Sequence, residues 1–354
     1  MDFVVKRDDL HDCRVVETAP PELEPDQSLL AVSAFGLTSN NITYAVFGDA
    51  MSYWNFFPAE EGWGRIPMWG FADVTATEHD ELPEGTRVFG YLPPSTHLVV
   101  TPERVDDRGF TDATPHRSAL PSAYNNYIRV DADPAYDERY EDQQMLLWPL
   151  FFTSFLIDDF LDDNGLFGAG AVVISSASSK TASALAFLLS RRDGIDVIGL
   201  TSPGNTGFVE KLGVYDRVVP YQDVGSLPAE AAIYVDIAGN GTVREEIHNH
   251  YGERLAHSSV VGDTHWDNTE GGEDELPGPD PTFFFAPDRV SKRSEDWGRP
   301  GLESRVAEAW RPYVEWTTGW LEVAHGTGPE ALERAYLEVL DGRMGPAVAH
   351  VLSP

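Results

Sequence analysis

The chain has 354 residues, too long for one compact core and comfortable for two domains. Its 42% hydrophobic content is enough for a packed core and excludes a disordered chain. A formal net charge of −33 repels phosphate backbones and excludes nucleic acid as a partner, and without 18 consecutive apolar residues the sequence predicts no membrane-spanning helix and no membrane partner.

The acidity is spread along the chain rather than gathered in a tail. Lysine occurs four times, at Lys6, Lys180, Lys211 and Lys292, against 21 arginines. Scattered Asp and Glu with so few Lys is the surface expected of a protein from concentrated salt, where screening weakens self-repulsion. Residues 1–10 lack the apolar stretch of a secretory signal, so a cytoplasmic location is the default expectation. The single cysteine, Cys13, excludes an intrachain disulfide and a four-cysteine zinc site.

In chain order, residues 1–105 read as β-rich. Strands are predicted at 29–35, 87–91 and 97–100, separated by Gly, Pro and acidic turns. Residues 106–145 are polar and turn-rich, with Tyr124-Asn125-Asn126-Tyr127 at their centre; this is long for a connection, so it is either functional or a mobile insert. From Trp148 onward helix and strand alternate. A helix is predicted at 150–161, a buried strand at 171–175, an Ala/Leu-rich helix at 181–192 and a strand at 196–201. A short helix from Phe208 to Leu212 follows, then strands at 217–220, 233–236 and 258–262. Two helices are expected within 301–342, and a closing apolar segment within 347–352. Short apolar strands with helical crossovers imply a parallel sheet covered on both faces.

The segment from Ala171 to Leu189 carries the strongest chemical signal. A strand ends at Ser175, a turn follows, and a helix opens near Thr181. A helix N-terminus offers unpaired N–H groups and partial positive charge, which suit a pyrophosphate. The turn of a dinucleotide fold is glycine-rich; here it reads Ser176-Ala177-Ser178-Ser179-Lys180-Thr181. Small residues still permit close approach, hydroxyls add donors, and Lys180 adds a cation. An ordinary strand-turn-helix without ligand is the rival reading. Lys180-Thr181 is not a P-loop, because Ile174 and Ser179 occupy its glycine positions. At the end of the second strand a carboxylate would bind the ribose 2′-hydroxyl of NAD. Thr201, Ser202 and Asn205 stand there instead, uncharged donors that tolerate a 2′-phosphate, so NADP(H) is the expected cofactor.

These motifs, in this order, resemble the medium-chain dehydrogenase/reductase superfamily, in its zinc-free quinone-oxidoreductase and enoyl-reductase branch. Val172–Leu189 resembles the family's strand, phosphate turn and helix. Val209-Glu210-Lys211-Leu212-Gly213-Val214 followed by Asp216 and Val218-Val219 resembles its KxLGAD-x-V segment. Asp236-Ile237-Ala238-Gly239 resembles its DxxG turn, residues 254–262 its last cofactor-domain strand, and Glu84–Gly90 its PGDRV-x-G turn. The glycine-free phosphate turn and the 106–145 insert depart from the pattern.

The resemblance implies a Rossmann-type doubly wound parallel sheet at 147–288. It also implies a β-rich GroES-like catalytic domain made of 1–146 with 289–354. It adds Ala238, Gly239, Gly262 and Phe284 to the expected cofactor contacts and implies a homodimer formed through the last strand. It further implies hydride transfer from NADPH to an activated C=C or C=O of a small-molecule substrate: a quinone, enone or enoyl thioester.

Zinc-dependent relatives take Cys, His and Glu ligands from the first domain. This chain has Thr38, Ser39 and Trp69-Gly70-Phe71 in those regions, so no metal is expected. A hydrogen-bond donor must then stabilise developing negative charge. The segment from Gly36 to Tyr44 is the best candidate, with Tyr44 as proton donor and Asn41 orienting the substrate; Asn41 as a turn cap and Tyr44 as a packing residue is the equal alternative. The nearby Phe47, Tyr53, Trp54, Phe56, Phe57, Trp63 and Trp69 line a pocket or pack a core. His248 and His250 are expected at the surface. A non-catalytic NADP(H)-binding sensor or scaffold is the competing function. A short-chain dehydrogenase is disfavoured, since Tyr-x-x-x-Lys is absent after the nucleotide motif.

Overall fold

The computed structural model describes residues 1–19, 21–261 and 276–354. The first half contains β1 (Asp2–Lys6), β2 (Asp9–Val16), β3 (Ser28–Leu37), α1 (Ser39–Val46), β4 (Trp63–Gly64), β5 (Met68–Thr77), β6 (Arg87–Leu92), β7 (His97–Val100), β8 (Pro102–Asp106), β9 (Gly109–Asp112), β10 (Asn126–Arg129) and α2 (Glu141–Asp163). Then follow β11 (Ala171–Ile174), α3 (Lys180–Leu189), β12 (Asp196–Thr201), α4 (Thr206–Leu212), β13 (Arg217–Pro220), β14 (Ala232–Asp236), α5 (Gly241–Tyr251), β15 (Leu255–Val260), β16 (Thr282–Phe283), α6 (Ala286–Thr317), β17 (Glu322–Thr327), α7 (Pro329–Leu340) and β18 (Val348–Ser353).

The chain divides into two compact units, 1–148 with 321–354 and 149–320. The first boundary falls inside α2, at Pro149, whose missing N–H removes a helical hydrogen bond there. The second lies beyond the start expected for the returning segment, since 289–320 belong to the second unit. Packing explains the difference. Trp310, Tyr313 and Trp316 of α6 lie against Phe151 and Phe187 with ring centroids 4.7–5.4 Å apart. Arg293 of the same helix pairs with Asp159 of α2 at 2.8 Å. The stretch Glu138–Asp163 is long and apolar enough to cross a membrane by length and composition. The absence of an unbroken apolar run therefore did not settle that point. Within the second unit Phe151, Leu156, Ile157 and Leu161 are fully buried, as befits a core helix.

In the first unit the main sheet runs β17-β18-β3-β5-β6-β10-β9-β8, with β7 also on β3. The 106–145 segment is thus built into the sheet: β9 and β10 extend it from β6. Gly90 makes room for this, because a Cβ there would stand 2.5 Å from the Tyr127 ring. The segment is fixed by Arg117, which is 1% exposed and donates to Asp112 (2.8 Å), Asn125 (3.0 Å), the Tyr127 hydroxyl (2.9 Å) and the Tyr124 carbonyl (2.6 Å).

In the second unit the described strands run β13-β12-β11-β14-β15-β16, all parallel. This is the doubly wound dinucleotide-binding order, with its reversal between β11 and β14. Both strands are fully or nearly fully buried, as strands covered on two faces must be.

Candidate functional site

At a reversal of strand order the loops after the two central strands part, and the crevice outside their carboxyl ends is where such sheets bind ligands. Here the crevice is bounded by Ser175–Lys180 after β11 and by residues 237–240 after β14. Its floor is one buried network. Ser175 Oγ donates to Asp236 at 2.9 Å and accepts from the Ala238 N–H at 3.0 Å. Gly239 N–H also donates to Asp236 (3.0 Å), and Arg244 pairs with the same carboxylate at 3.0 Å. Asp236 is 0% exposed, so Arg244 cancels a charge that would otherwise repel a phosphate. Gly239 sits at φ +66°, where its lack of a Cβ permits the turn.

The phosphate turn achieves without glycine what glycine usually does. Ser176 adopts φ +52°, a left-handed conformation that costs an L-residue roughly 1–2 kcal/mol. Three side chains hold it there. Tyr221 accepts from the Ser176 N–H (2.8 Å), Tyr215 donates to the Ala177 carbonyl (3.0 Å), and Asn205 donates to Ser178 Oγ (3.1 Å). Ser179 caps α3, its hydroxyl accepting from the Ala182 N–H at 3.2 Å. Ala182 is fully buried, a small residue where helix and strand meet. Lys180 and Thr181 open the helix. Lys180 is half-buried, and burial pushes its ammonium down to about 8.

The turn carries hydroxyls, backbone N–H groups and one ammonium, and its neighbouring carboxylate is neutralised; this donor set fits the phosphates of a dinucleotide. Other expected contacts are redistributed. Thr201 is buried inside β12 while Ser202 is exposed. Asn205 spends its amide on Ser178. Ala238 is exposed at the crevice rim. Phe284 is half-buried, its ring against Phe160 (5.7 Å) and its N–H donating to the Val260 carbonyl (2.8 Å). Gly262 lies outside the described residues. His248 is not a surface residue: it is 0% exposed, bridging the Pro277 carbonyl (2.9 Å) and Ser258 Oγ (3.0 Å), and burial lowers its pKa. Tyr215, Tyr221 and Arg244 were not singled out in the sequence: the two tyrosines act through partners distant in the chain, and Arg244 reaches back from α5 to Asp236 at the end of β14.

In the first unit, α1 follows β3 directly. Thr38 and Asn41 form a capping box: Asn41 Oδ1 accepts from the Thr38 N–H at 2.8 Å, and its Nδ2 donates to the Pro67 carbonyl at 3.0 Å. Asn41 is 4% exposed with its amide committed to backbone at both ends. It holds the start of α1, as the turn-cap alternative expects. Asn40 is the amide that meets Tyr44, donating to its hydroxyl at 2.9 Å. Tyr44 is 7% exposed, and burial pushes its pKa well above the ordinary phenol value.

Around Tyr44 the aromatic residues separate into two groups. Trp54, Phe56 and Phe57 are core, at 1–2% exposure, while Phe47, Tyr53, Trp63 and Trp69 are half-buried. Tyr44 packs on Tyr53 (4.7 Å) and Tyr91 (5.7 Å), and Tyr91 on Tyr124 (4.8 Å), which the 106–145 segment contributes. Among the described residues no group of three or more His, Cys, Asp or Glu is placed to hold a metal ion.

Comparison with solved structures gives full-length matches. CurA from Vibrio vulnificus is 13% identical with a TM-score of 0.59, over 99% of this chain and 95% of that one. The yhdH oxidoreductase from Salmonella enterica, solved in complex with NADP, is 14% identical with a TM-score of 0.56, over 97% and 95%. The quinone oxidoreductase from Coxiella burnetii is 13% identical with a TM-score of 0.57, over 100% and 98%. The chain shares the fold of these proteins: a doubly wound parallel sheet and a separate β-rich unit. Comparison with curated protein sequences gives no significant match. The family described as "Protein of unknown function (DUF2855)" matches residues 35–345, and the chain belongs to that family.

Proposed function

We propose that the chain is an NADP(H)-dependent, zinc-independent oxidoreductase that reduces an activated C=C or C=O of a small molecule. The observation that carries this reading is the crevice at the β11/β14 reversal: a capped helix N-terminus, Lys180 beside it, and no carboxylate at the end of β12. NADPH, when bound, supplies the hydride. Ser176, Ser178 and the α3 N-terminus hold phosphate oxygens, the Ala238–Gly239 turn borders the same crevice, and Lys180 and Ser202 accommodate the 2′-phosphate. In the first unit Tyr44 gives a hydrogen bond, and then a proton, to the substrate as charge develops on it. The nucleotide-bound state of the yhdH neighbour, and the enzymes named among the neighbours, support this reading by analogy of fold.

NADPH is expected to bind more tightly than NADH in fluorescence titrations, and Lys180→Ala to weaken NADPH more than NADH. Equal affinities for the two cofactors in the native protein refute the assignment. The Lys180 ammonium is charged below about 8 and neutral above it. NADPH affinity should therefore fall as pH rises through that value, and Lys180→Arg, always charged, should flatten the dependence. A pH-independent native affinity overturns the role of Lys180.

The glycine-free turn favours a second reading, a protein that binds NADP(H) without turnover. The two separate when NADPH is offered with quinone, enone and enoyl thioester acceptors: oxidation with none of them selects the sensor.

A homodimer through β16 belongs to the same reading. Among the described residues β16 pairs on one side only, with β15, and Phe285 beside it is 53% exposed. An open strand edge invites pairing. Light scattering in concentrated salt should report a dimer, and Phe285→Asp a shift towards monomer. A native monomer at micromolar concentration contradicts it.

A further inference from the structure

Trp69 on β5 and Tyr91 on β6 are direct partners in the antiparallel ladder, so their side chains share one face, with rings 5.1 Å apart. Trp69 Nε1 and Tyr91 Oη are both sealed from solvent, and neither has a hydrogen-bond partner. Both face the Tyr44 hydroxyl without reaching hydrogen-bond geometry to it. Tyr44 accepts from Asn40, which leaves its own proton to give. Leaving a buried donor unpaired is costly, and two such groups side by side call for an explanation. An indole N–H can only donate, so the missing partner is an acceptor.

The surroundings narrow what that acceptor belongs to. Tyr124 stands 4.8 Å from Tyr91, 5.3 Å from Phe56 and 6.1 Å from Trp69, and Tyr53 stands 4.7 Å from Tyr44. The donors are all neutral, which suits a carbonyl better than a carboxylate or phosphate. Tyr53 and Tyr124, packed edge to face at 6.2 Å and half-buried, form the wall between the donors and solvent. Flat aromatic walls favour a flat ring.

We propose that Trp69 Nε1–H, Tyr91 O–H and Tyr44 O–H together bind the oxygen of a planar ring carbonyl, with Tyr53, Phe56 and Tyr124 enclosing its ring. This deepens the reductase reading and rests on it for the purpose of the site. It selects cyclic conjugated ketones and quinones over open-chain acyl thioesters. It also gives the 106–145 segment a task, since Tyr124 supplies one wall. Entry of the ligand requires the Tyr53 and Tyr124 rings to part.

The test uses the full chain without NADPH and the redox-inert pair 1-indanone and indane, which differ only at the carbonyl. By equilibrium dialysis 1-indanone should bind about tenfold more tightly than indane. Trp69→Phe and Tyr91→Phe should each weaken 1-indanone by roughly three- to tenfold and leave indane unchanged. Equal binding of the two probes, or unchanged 1-indanone binding in both variants, overturns the proposal. Tyr91→Phe should not lower the melting temperature, because it removes a hydroxyl that has no partner in the free protein; a lowered value means that the hydroxyl serves the fold and also overturns it. NADPH titration of the same samples keeps the two readings apart: failure to bind NADPH removes the reductase reading, whereas the indanone result decides the carbonyl site.

Discussion

Tyr44→Phe is expected to lower turnover of a conjugated cyclic ketone or quinone with NADPH by about 10²–10³-fold, the usual cost of losing one donor to a developing oxyanion. The substitution keeps the ring, its contacts with Tyr53 and Tyr91, and the start of α1 fixed by Thr38 and Asn41. It strands one partner, Asn40 Nδ2, which is only half-buried and can turn to water. Stability should therefore fall by no more than about 1 kcal/mol. NADPH affinity, set in the second unit, should not change. Burial raises the Tyr44 pKa, so the phenol stays protonated through the whole working range and its loss should leave the pH profile unaltered in shape. Steady-state kinetics across pH checks both statements. Turnover at the native level makes Tyr44 a packing residue and leaves the proton donor to be sought elsewhere in the first unit.

The cofactor unit was the legible part of the sequence. Its central strands are buried on both faces and read as short apolar runs, and the strands expected at 196–201 and 217–220 coincide with β12 and β13. In the first unit the signal is weaker for a physical reason. β5, a central strand, reads Met-Trp-Gly-Phe-Ala-Asp-Val-Thr-Ala-Thr, with Gly70 as its third residue. A Cβ on that glycine would meet the Ala34 carbonyl at 2.3 Å, a demand set by the neighbouring strand that no local pattern displays. α1 is brief, and the cap that defines it uses the same asparagine that reads locally as a polar site residue. Tyr44 was identified from position after a strand, but its companions Trp69, Tyr91 and Tyr124 are brought to it by sheet register and by the folded 106–145 segment. Register is a long-range property, and so the site was visible only in part.

Arg117 is the second place where one substitution should have a large effect. Its guanidinium and the Asp112 carboxylate are each 1% exposed and 2.8 Å apart. Asp112 spends its remaining oxygen on the N–H groups of Thr101 and Thr114 (3.0 Å each) and the Thr114 hydroxyl (2.6 Å). The pair is therefore fully satisfied, the condition under which a buried ion pair is tolerated. Arg117→Ala removes one partner, leaves Asp112 charged and buried, and opens a cavity beside Phe57, over whose ring the guanidinium lies at 5.1 Å. Breaking such a pair typically costs about 3–5 kcal/mol. Arg117 also holds the Tyr124 carbonyl, and the Tyr127 hydroxyl it donates to in turn donates to the Tyr91 carbonyl (2.7 Å). The loss should thus reach the aromatic wall as well as the fold. Urea unfolding in concentrated KCl is expected to show the full loss for Arg117→Ala. The double change Asp112→Asn with Arg117→Met, which buries no charge, should be less destabilised than the single one. A loss below about 1 kcal/mol for Arg117→Ala would show that this segment does not depend on its buried pair.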